Sequence, residues 1–250
     1  MTKILEIKNL NKTFKKASES TKAVSNFSCQ MNEGECIGIV GESGSGKSTI
    51  AVIIAGFVKA DSGSIFFDGN ELVFKGKAAR LQRKSMQMIF QNPTSALNPH
   101  MTILDNLKEA VVYYEKIDKD AFYAKAAEEL KKMGLTPEYL HRYPKELSGG
   151  ECQRATIARS LIGRPKLLIC DEITSALDVC VQAEIIRYLL ELKKSGISIL
   201  FITHDITLTS QLCDRIIVMK QGKIVESGNT KDILENPVSD YTRMLVGAAY

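Results

Sequence analysis

An α/β fold is what the sequence predicts, on three observations. Short apolar runs of strand length recur along the 250 residues, helical patterns lie between several of them, and one central stretch carries helical patterns alone. The runs fall at 4–7, 36–40, 65–67, 86–90, 167–170, 198–203 and 215–219. Strands alternating with helices form a sheet that is at least partly parallel, and active groups collect at the C-terminal ends of such strands.

The opening MTKILEIKNL alternates apolar and polar residues, as a half-buried strand does. It has neither the apolar core nor the small-residue cleavage site of a secretion signal. Helical periodicity follows the second run, over 47–58, and returns over 181–193. Phe67-Asp68-Gly69 and Lys220-Gln221-Gly222 lie between β-rich runs and predict two hairpins. From about 103 to 164 the pattern is helical throughout (103–115, 119–133 and 151–162), which reads as a helical insertion into the α/β core. With no internal repeat and no low-complexity segment, one compound domain over 1–250 is expected. Its helical subdomain would span about 92–164 and a short helical tail about 229–250.

Composition excludes several classes. At 44% hydrophobic and 25% charged residues the chain is an ordinary globular protein, and 33 basic against 29 acidic residues leave a net charge of +4 with no long run of either sign. That balance argues against a nucleic-acid partner. The longest apolar stretch, 50–58, is far short of the roughly 20 residues needed to cross a bilayer. A cytoplasmic protein is expected, reaching any membrane through a partner. The six cysteines (Cys29, Cys36, Cys152, Cys170, Cys180 and Cys213) form no CxxC pair and no zinc-like cluster, and read as small buried hydrophobes in a reducing compartment.

The strand at 36–40 runs into Gly41-Glu42-Ser43-Gly44-Ser45-Gly46-Lys47-Ser48, which fits G-x-x-x-x-G-K-[ST] and opens a helix. Glycines let successive backbone N–H groups converge on phosphate oxygens, and the helix N-terminus adds a favourable partial charge. Lys47 suits the β- and γ-phosphates of a nucleotide, and the Ser48 hydroxyl suits Mg²⁺. Thr49 continues the site.

The strand at 167–170 ends in Asp171-Glu172. Read alone, this is either a strand end turning into solvent or a pair of working carboxylates. Burying charge is costly without a partner, and beside a phosphate loop Mg²⁺ is that partner. Asp171 would hold the metal through water, and Glu172 would orient and deprotonate the attacking water. The strand at 198–203 ends in His204-Asp205 on the same sheet edge, where His204 would bond the γ-phosphate and hold Glu172. His100 and His141 have no such context.

Leu147-Ser148-Gly149-Gly150-Glu151 precedes a helical run. Ser148 and Glu151 fit a capping box, and the two glycines leave the helix N-terminus with bare amides open to an anion.

Along essentially its full length the chain resembles the ABC ATPase family. LSGGE is similar to that family's signature motif, Ser175-Ala176-Leu177-Asp178 to its D-loop, Gln91 to its Q-loop, His204 to its H-loop, and Phe14 to the aromatic residue that stacks on adenine. The resemblance implies a RecA-like P-loop NTPase core with an antiparallel β portion and an inserted α-helical subdomain. It implies ATP hydrolysis with Mg²⁺, Gln91 serving both catalysis and the metal. It also implies two ATPase domains packed head to tail, so that Ser148, Gly149 and Gly150 of one bind ATP held on the other's loop, with Asp178 nearby. Ile173 stands where the family usually has proline, Glu151 where glutamine is commoner and Phe14 where tyrosine is commoner. Within 12–22 the stacking residue stays open.

The segment from Gln91 to Thr102 (QNPTSALNPHMT) resembles one typical of the oligopeptide, dipeptide and nickel importers. The tail from Asn236 to Arg243 (NPVSDYTR) resembles their NPxHPYT motif, with Ser239-Asp240 in place of its HP. The chain thus looks like their second, F-type ATPase, at the cytoplasmic face of the cell membrane. Implied partners are a second ATPase subunit (the same chain or a different one), two transmembrane permease subunits and an extracellular substrate-binding protein. The cargo would be oligopeptides, nickel or a metal chelate. Many relatives carry a cysteine-bearing C-terminal extension; without it no iron–sulfur cluster is expected. The competing expectations are a soluble ABC ATPase acting on nucleic acid or ribosomes, and an export ATPase.

Overall fold

Two sheets of different character share the chain in the computed structural model, which describes residues 2–16, 19–91, 96–114, 116–174 and 178–248. The first is antiparallel, ordered β2-β1-β4-β5, from β1 (Lys3–Lys16), β2 (Glu19–Asn32), β4 (Ser62–Phe67) and β5 (Asn70–Glu71). The second is ordered β10-β9-β3-β8-β7-β6. It contains β3 (Cys36–Val40), β6 (Met86–Ile89), β7 (Leu167–Asp171), β8 (Ser198–Thr203), β9 (Arg215–Lys220) and β10 (Lys223–Asn229). From β9 to β6 every neighbouring pair is parallel, and β10 closes the edge antiparallel.

The apolar runs are continuous because the parallel strands are covered on both faces. Alternate residues point opposite ways. Ile37, Ile39, Leu167, Ile169, Leu200, Ile202, Ile217 and Met219 share a core with the antiparallel sheet and with α1 (Lys47–Ile54). Leu168, Cys170, Ile199 and Phe201 face the other way, into a core shared with α3 (Ile103–Val112), α4 (Lys119–Lys132), α5 (Gly149–Leu161) and α6 (Val179–Lys194). Each such side chain, once fully buried, contributes about 1.5–3 kcal/mol. Val40, Ile216 and Val218 meet α7 (Ile206–Leu212), α8 (Thr230–Glu235) and α9 (Asp240–Gly247) in a third, smaller cluster.

Between β6 and β7 the described residues form helices only, α3, α4 and α5 with 3-10 turns at Pro137–His141 and Pro144–Glu146. Both hairpins form as two-residue turns with positive φ at each central residue, 50° and 74° at Asp68-Gly69 and 49° and 77° at Gln221-Gly222. The helical tail is α8 and α9.

The structure departs from expectation in places. The strand expected at 4–7 runs from Lys3 to Lys16 and pairs with a second long strand, β2, that periodicity did not suggest. Register shifts between Lys3 and Thr13 break the alternation, and lysines occupy the outer face. The helix expected over 47–58 stops at Ile54, where Phe57 N–H and Val58 N–H both turn back to the Val52 carbonyl. α2 (Gly76–Ser85) and α7 were also unanticipated. Of the cysteines, Cys180 is exposed in the first turn of α6 and Cys29 is half-buried, against the expectation for all six. No helix among the described residues is long and apolar enough to cross a membrane.

Candidate active site

Because β3, β8, β7 and β6 are parallel neighbours, the residues that follow them emerge along one edge, strand ends about 5 Å apart in sequence of pairing. β3 delivers the loop 41–48, β8 delivers His204, β7 delivers Asp171 and Glu172, and β6 delivers Gln91. These side chains converge on one carboxylate. Gln91 Nε2 donates to Glu172 Oε2 at 2.9 Å, His204 Nδ1 lies 3.6 Å from the same oxygen, and Lys47 Nζ lies 3.8 Å from Oε1. Glu172 sits at φ 49°, a left-handed conformation costing about 1–3 kcal/mol for a non-glycine residue. Its own N–H, donated to the Ile202 carbonyl at 2.9 Å, extends the β7–β8 ladder by one bond before the chain turns.

The loop wraps the Lys47 ammonium, whose side chain is only 3% exposed. Nζ donates to the carbonyls of Gly41 (2.7 Å) and Glu42 (2.9 Å). Burial pulls this ammonium below its ordinary pKa, opposed by the charges of Glu172, Asp171 and Glu42. Gly46 caps α1 at φ 103°, and a Cβ there would stand 2.2 Å from the Ala23 carbonyl oxygen. Only glycine lets β2 approach so closely.

Ser48 Oγ donates to Asp171 Oδ1 at 3.0 Å. Burial pushes the Asp171 carboxyl above its ordinary pKa and Glu172 adds to this, while the Ser48 bond and Lys47 oppose it. No group of three or more His, Cys, Asp or Glu among the described residues could hold a metal unaided. Two adjoining hard oxygens, Ser48 and Asp171, nonetheless fit Mg²⁺, which takes few protein ligands and completes its shell with phosphate and water.

In front of the loop lies a cleft of about 420 Å³, lined by Ser43, Gly44, Gly46, Lys47, Ser48, Thr49, Gln91 and Glu172. Thr21, Lys22, Ala23 and Gln221 complete its wall, and the sequence reading had none of them as discrete site residues. The signal available was the 220–222 hairpin. Its Gly222 carbonyl accepts from Ser25 N–H at 2.8 Å and its Gly222 N–H donates to the Ser45 carbonyl at 2.9 Å, so the turn is tied to both β2 and the loop. Phe14 is 42% exposed and does not line the cleft. It pairs across the strands with Thr21, which does, so the two share one face of the sheet.

Ser148, Gly149 and Gly150 do not line this cleft. They form the start of α5, where Ser148 Oγ accepts from Glu151 N–H and Glu151 Oε2 accepts from Ser148 N–H (2.7 Å), the expected capping box. Ser148 and Gly149 are exposed, and nothing lies within 4 Å of where a Gly149 Cβ would be. Tyr139 Oη donates to the other Glu151 oxygen at 2.5 Å, holding that carboxyl below its ordinary pKa. Asp178 is exposed and caps α6 by accepting from Val181 N–H at 3.0 Å. Ser175, Ala176 and Leu177, and Asn92, Pro93, Thr94 and Ser95, which belong to the two segments read as D-loop and importer motif, lie outside the described residues. Ile173, where proline was expected, is buried, and its carbonyl accepts from Gln153 at 2.9 Å.

Residues 24–175 match the ABC transporter family. The chain is 42% identical to the oligopeptide transport ATP-binding protein OppF of Escherichia coli over 97% of its own length and 74% of that protein's. To the protein of the same name from Streptococcus mutans it is 41% identical, over 98% and 81%. Among solved structures it is similar to the ATP-binding cassette MJ0796, a dimer in a post-hydrolysis state bound to ADP and Pi. The TM-score is 0.83 at 29% identity, over 90% of this chain and 98% of that one. Likewise, cbiO1 from Clostridium perfringens, part of the ABC transporter complex cbiONQ, gives 0.81 at 31% identity, over 95% and 93%.

Proposed function

Since the chain belongs to the ABC transporter family and is an ATPase of that family, we propose that it drives an oligopeptide importer as one of two ATPase subunits packed head to tail. The observation that carries the reading is the convergence of Lys47, Gln91 and His204 on the Glu172 carboxylate, beside the Ser48–Asp171 pair.

In this reading the amides of residues 43–49 and the N-terminus of α1 receive the phosphates of ATP. Lys47 exchanges its loop carbonyls for β- and γ-phosphate oxygens. A magnesium ion held by Ser48, Gln91 and, through water, Asp171 would supply positive charge to the same phosphates. Glu172 takes a proton from the water that attacks the γ-phosphorus; Gln91 fixes the carboxylate and His204 donates to the γ-phosphate. Adenine stacks against the β1–β2 ribbon around Phe14. Ser148, Gly149 and Gly150 present their open helix start to ATP on the opposing subunit, with Asp178 at the same boundary. Exposure of that start, away from its own chain's cleft, supports this arrangement.

The relatives' names support peptides over nickel or a metal chelate as cargo, and an importer over an exporter or a nucleic-acid-directed ATPase. The partners would be two permease subunits and an extracellular binding protein, placing this chain at the membrane's cytoplasmic face. Purification from detergent-solubilised membranes tests this. Two polytopic subunits should copurify, and peptide-loaded binding protein should accelerate phosphate release. Cosedimentation with ribosomes or DNA, without membrane partners, would overturn the assignment.

A further inference from the structure

The last helix of the chain reaches back to the phosphate loop. Tyr241, on α9, is 7% exposed, its ring lodged among Val40, Ile206, Ile216, Val218 and Ile233. Its hydroxyl oxygen accepts a hydrogen bond from Glu42 N–H at 3.1 Å. That N–H belongs to the peptide unit whose carbonyl, Gly41 O, accepts from Lys47 Nζ at 2.7 Å. One peptide plane is therefore gripped at both ends, by the tail through its N–H and by the ammonium through its oxygen. An acceptor on the N–H polarises the amide and strengthens its carbonyl as an acceptor, so the two bonds support each other.

Tyr241 is itself held in place. Ser239 Oγ caps α9 by accepting from Tyr241 N–H at 3.2 Å. The Glu226 carboxylate on β10 accepts from Val238 N–H (2.8 Å) and Ser239 N–H (2.9 Å), which fixes the start of the helix. Lys220 Nζ sits 4.4 Å above the tyrosine ring.

We propose that Tyr241 is a positioning residue for ATP binding: it fixes the Gly41–Glu42 peptide, so the loop keeps its shape when Lys47 leaves the Gly41 carbonyl for a phosphate. The proposal rests on ATP occupying this loop. While Lys47 is turned inward it holds the peptide from one side. Once it turns outward, the tyrosine hydroxyl is the contact that keeps the plane from rotating. The tail thereby sets affinity without touching nucleotide or the attacking water.

The test is Tyr241→Phe in the full chain, which keeps the ring in its apolar setting and removes the hydroxyl alone. Kd for a fluorescent ATP analogue, KM and kcat for ATP, and the melting temperature are measured on both proteins. Loss of one net hydrogen bond predicts a rise of about 2- to 10-fold in Kd and KM, with kcat at saturating ATP within about 2-fold and the melting temperature little changed. Equal Kd in the two proteins would overturn the inference. So would a lower kcat and melting temperature at unchanged Kd, because that pattern belongs to a merely structural contact. Failure of the unaltered protein to bind the analogue would instead sink the nucleotide reading of the loop itself.

Discussion

Replacing Glu172 with glutamine separates chemistry from folding at the centre of the site. The carboxylate is 15% exposed; Oε2 accepts from Gln91 at 2.9 Å and Oε1 faces Lys47 at 3.8 Å. A glutamine of the same shape keeps its carbonyl oxygen toward Gln91 and turns its amide nitrogen toward Lys47. The ionic contact to Lys47 is lost, while Lys47 keeps its bonds to the Gly41 and Glu42 carbonyls and His204 still faces an oxygen. Because Lys47 is only 3% exposed, the cost lies between the ~1 kcal/mol of an exposed pair and the ~3–5 kcal/mol of a buried pair broken outright. For a chain of this size each kcal/mol is a shift of about 2–4 °C in melting temperature. The loss to chemistry is read separately, in the rate, to which a side chain that accepts the water's proton contributes about 10²–10⁴-fold. ATP binding should not weaken, because a negative charge facing the γ-phosphate has been removed. Phosphate release at saturating ATP, with binding and melting curves on the same preparation, measures all three. A kcat within tenfold of the unaltered protein would refute Glu172 as the base.

Two further expectations follow from local geometry. Gly46→Ala forces a Cβ to within 2.2 Å of the Ala23 carbonyl at φ 103°; backbone strain of about 1–3 kcal/mol and displacement of β2 should lower the melting temperature by several degrees and weaken ATP binding at least about tenfold, and unchanged binding calorimetry would count against the close β2 contact. Glu151 has its folded pKa depressed, first by Tyr139 and then by Ser148 N–H. Its contribution to stability is therefore present above the ordinary carboxylate range and lost as pH falls through the lowered folded value. Melting curves between pH 7 and 3 should fall less steeply in Tyr139→Phe than in the unaltered protein, and parallel curves would remove the role given to that bond.

Where both faces of a strand are buried, the sequence alone showed it: Cys36–Val40 holds no charged or amide side chain, and Leu167–Cys170 and Ile199–Ile202 are wholly apolar. Residue types nominated Lys47 through its glycine-rich loop, and Asp171 and Glu172 only beside that loop, because a strand ending in two acids can equally be a strand end turning into solvent. The antiparallel half was poorly legible. β1 and β2 keep one face in solvent, carry many lysines, and shift register several times, so their alternation is broken just where it would be counted. The cleft wall at Thr21–Ala23 and Gln221 was hidden for a related reason. A hairpin far along the chain supports it, Gly222 bonding Ser45 and Ser25 through backbone groups, which leave no trace in residue type. The same holds for Tyr241, whose link to Glu42 spans 199 positions.

Gln91 stands in the chain between the last residue of β6 and the helical insertion. Residues 98–102, a few positions further on, belong mechanically to the insertion. Asn106 of α3 accepts from Asn98 N–H at 2.7 Å and donates to the carbonyls of Asn98, Met101 and Thr102, while Leu97 is buried in the helical core. Gln91 itself extends from β6 of the sheet and bonds the Glu172 carboxylate. Gln91 and Leu97 thus belong to two different packing units of the chain, the sheet edge and the helical core. Glu172, Asp171, His204 and Lys47 have separations set by ladder spacing between adjacent strands, and these change little when helices slide. Of the groups gathered at Glu172, Gln91 is the one nearest in the chain to the insertion, so a Gln91→Ala variant should show whether that amide-to-carboxylate bond matters to the rate of ATP hydrolysis; an unchanged kcat would exclude it.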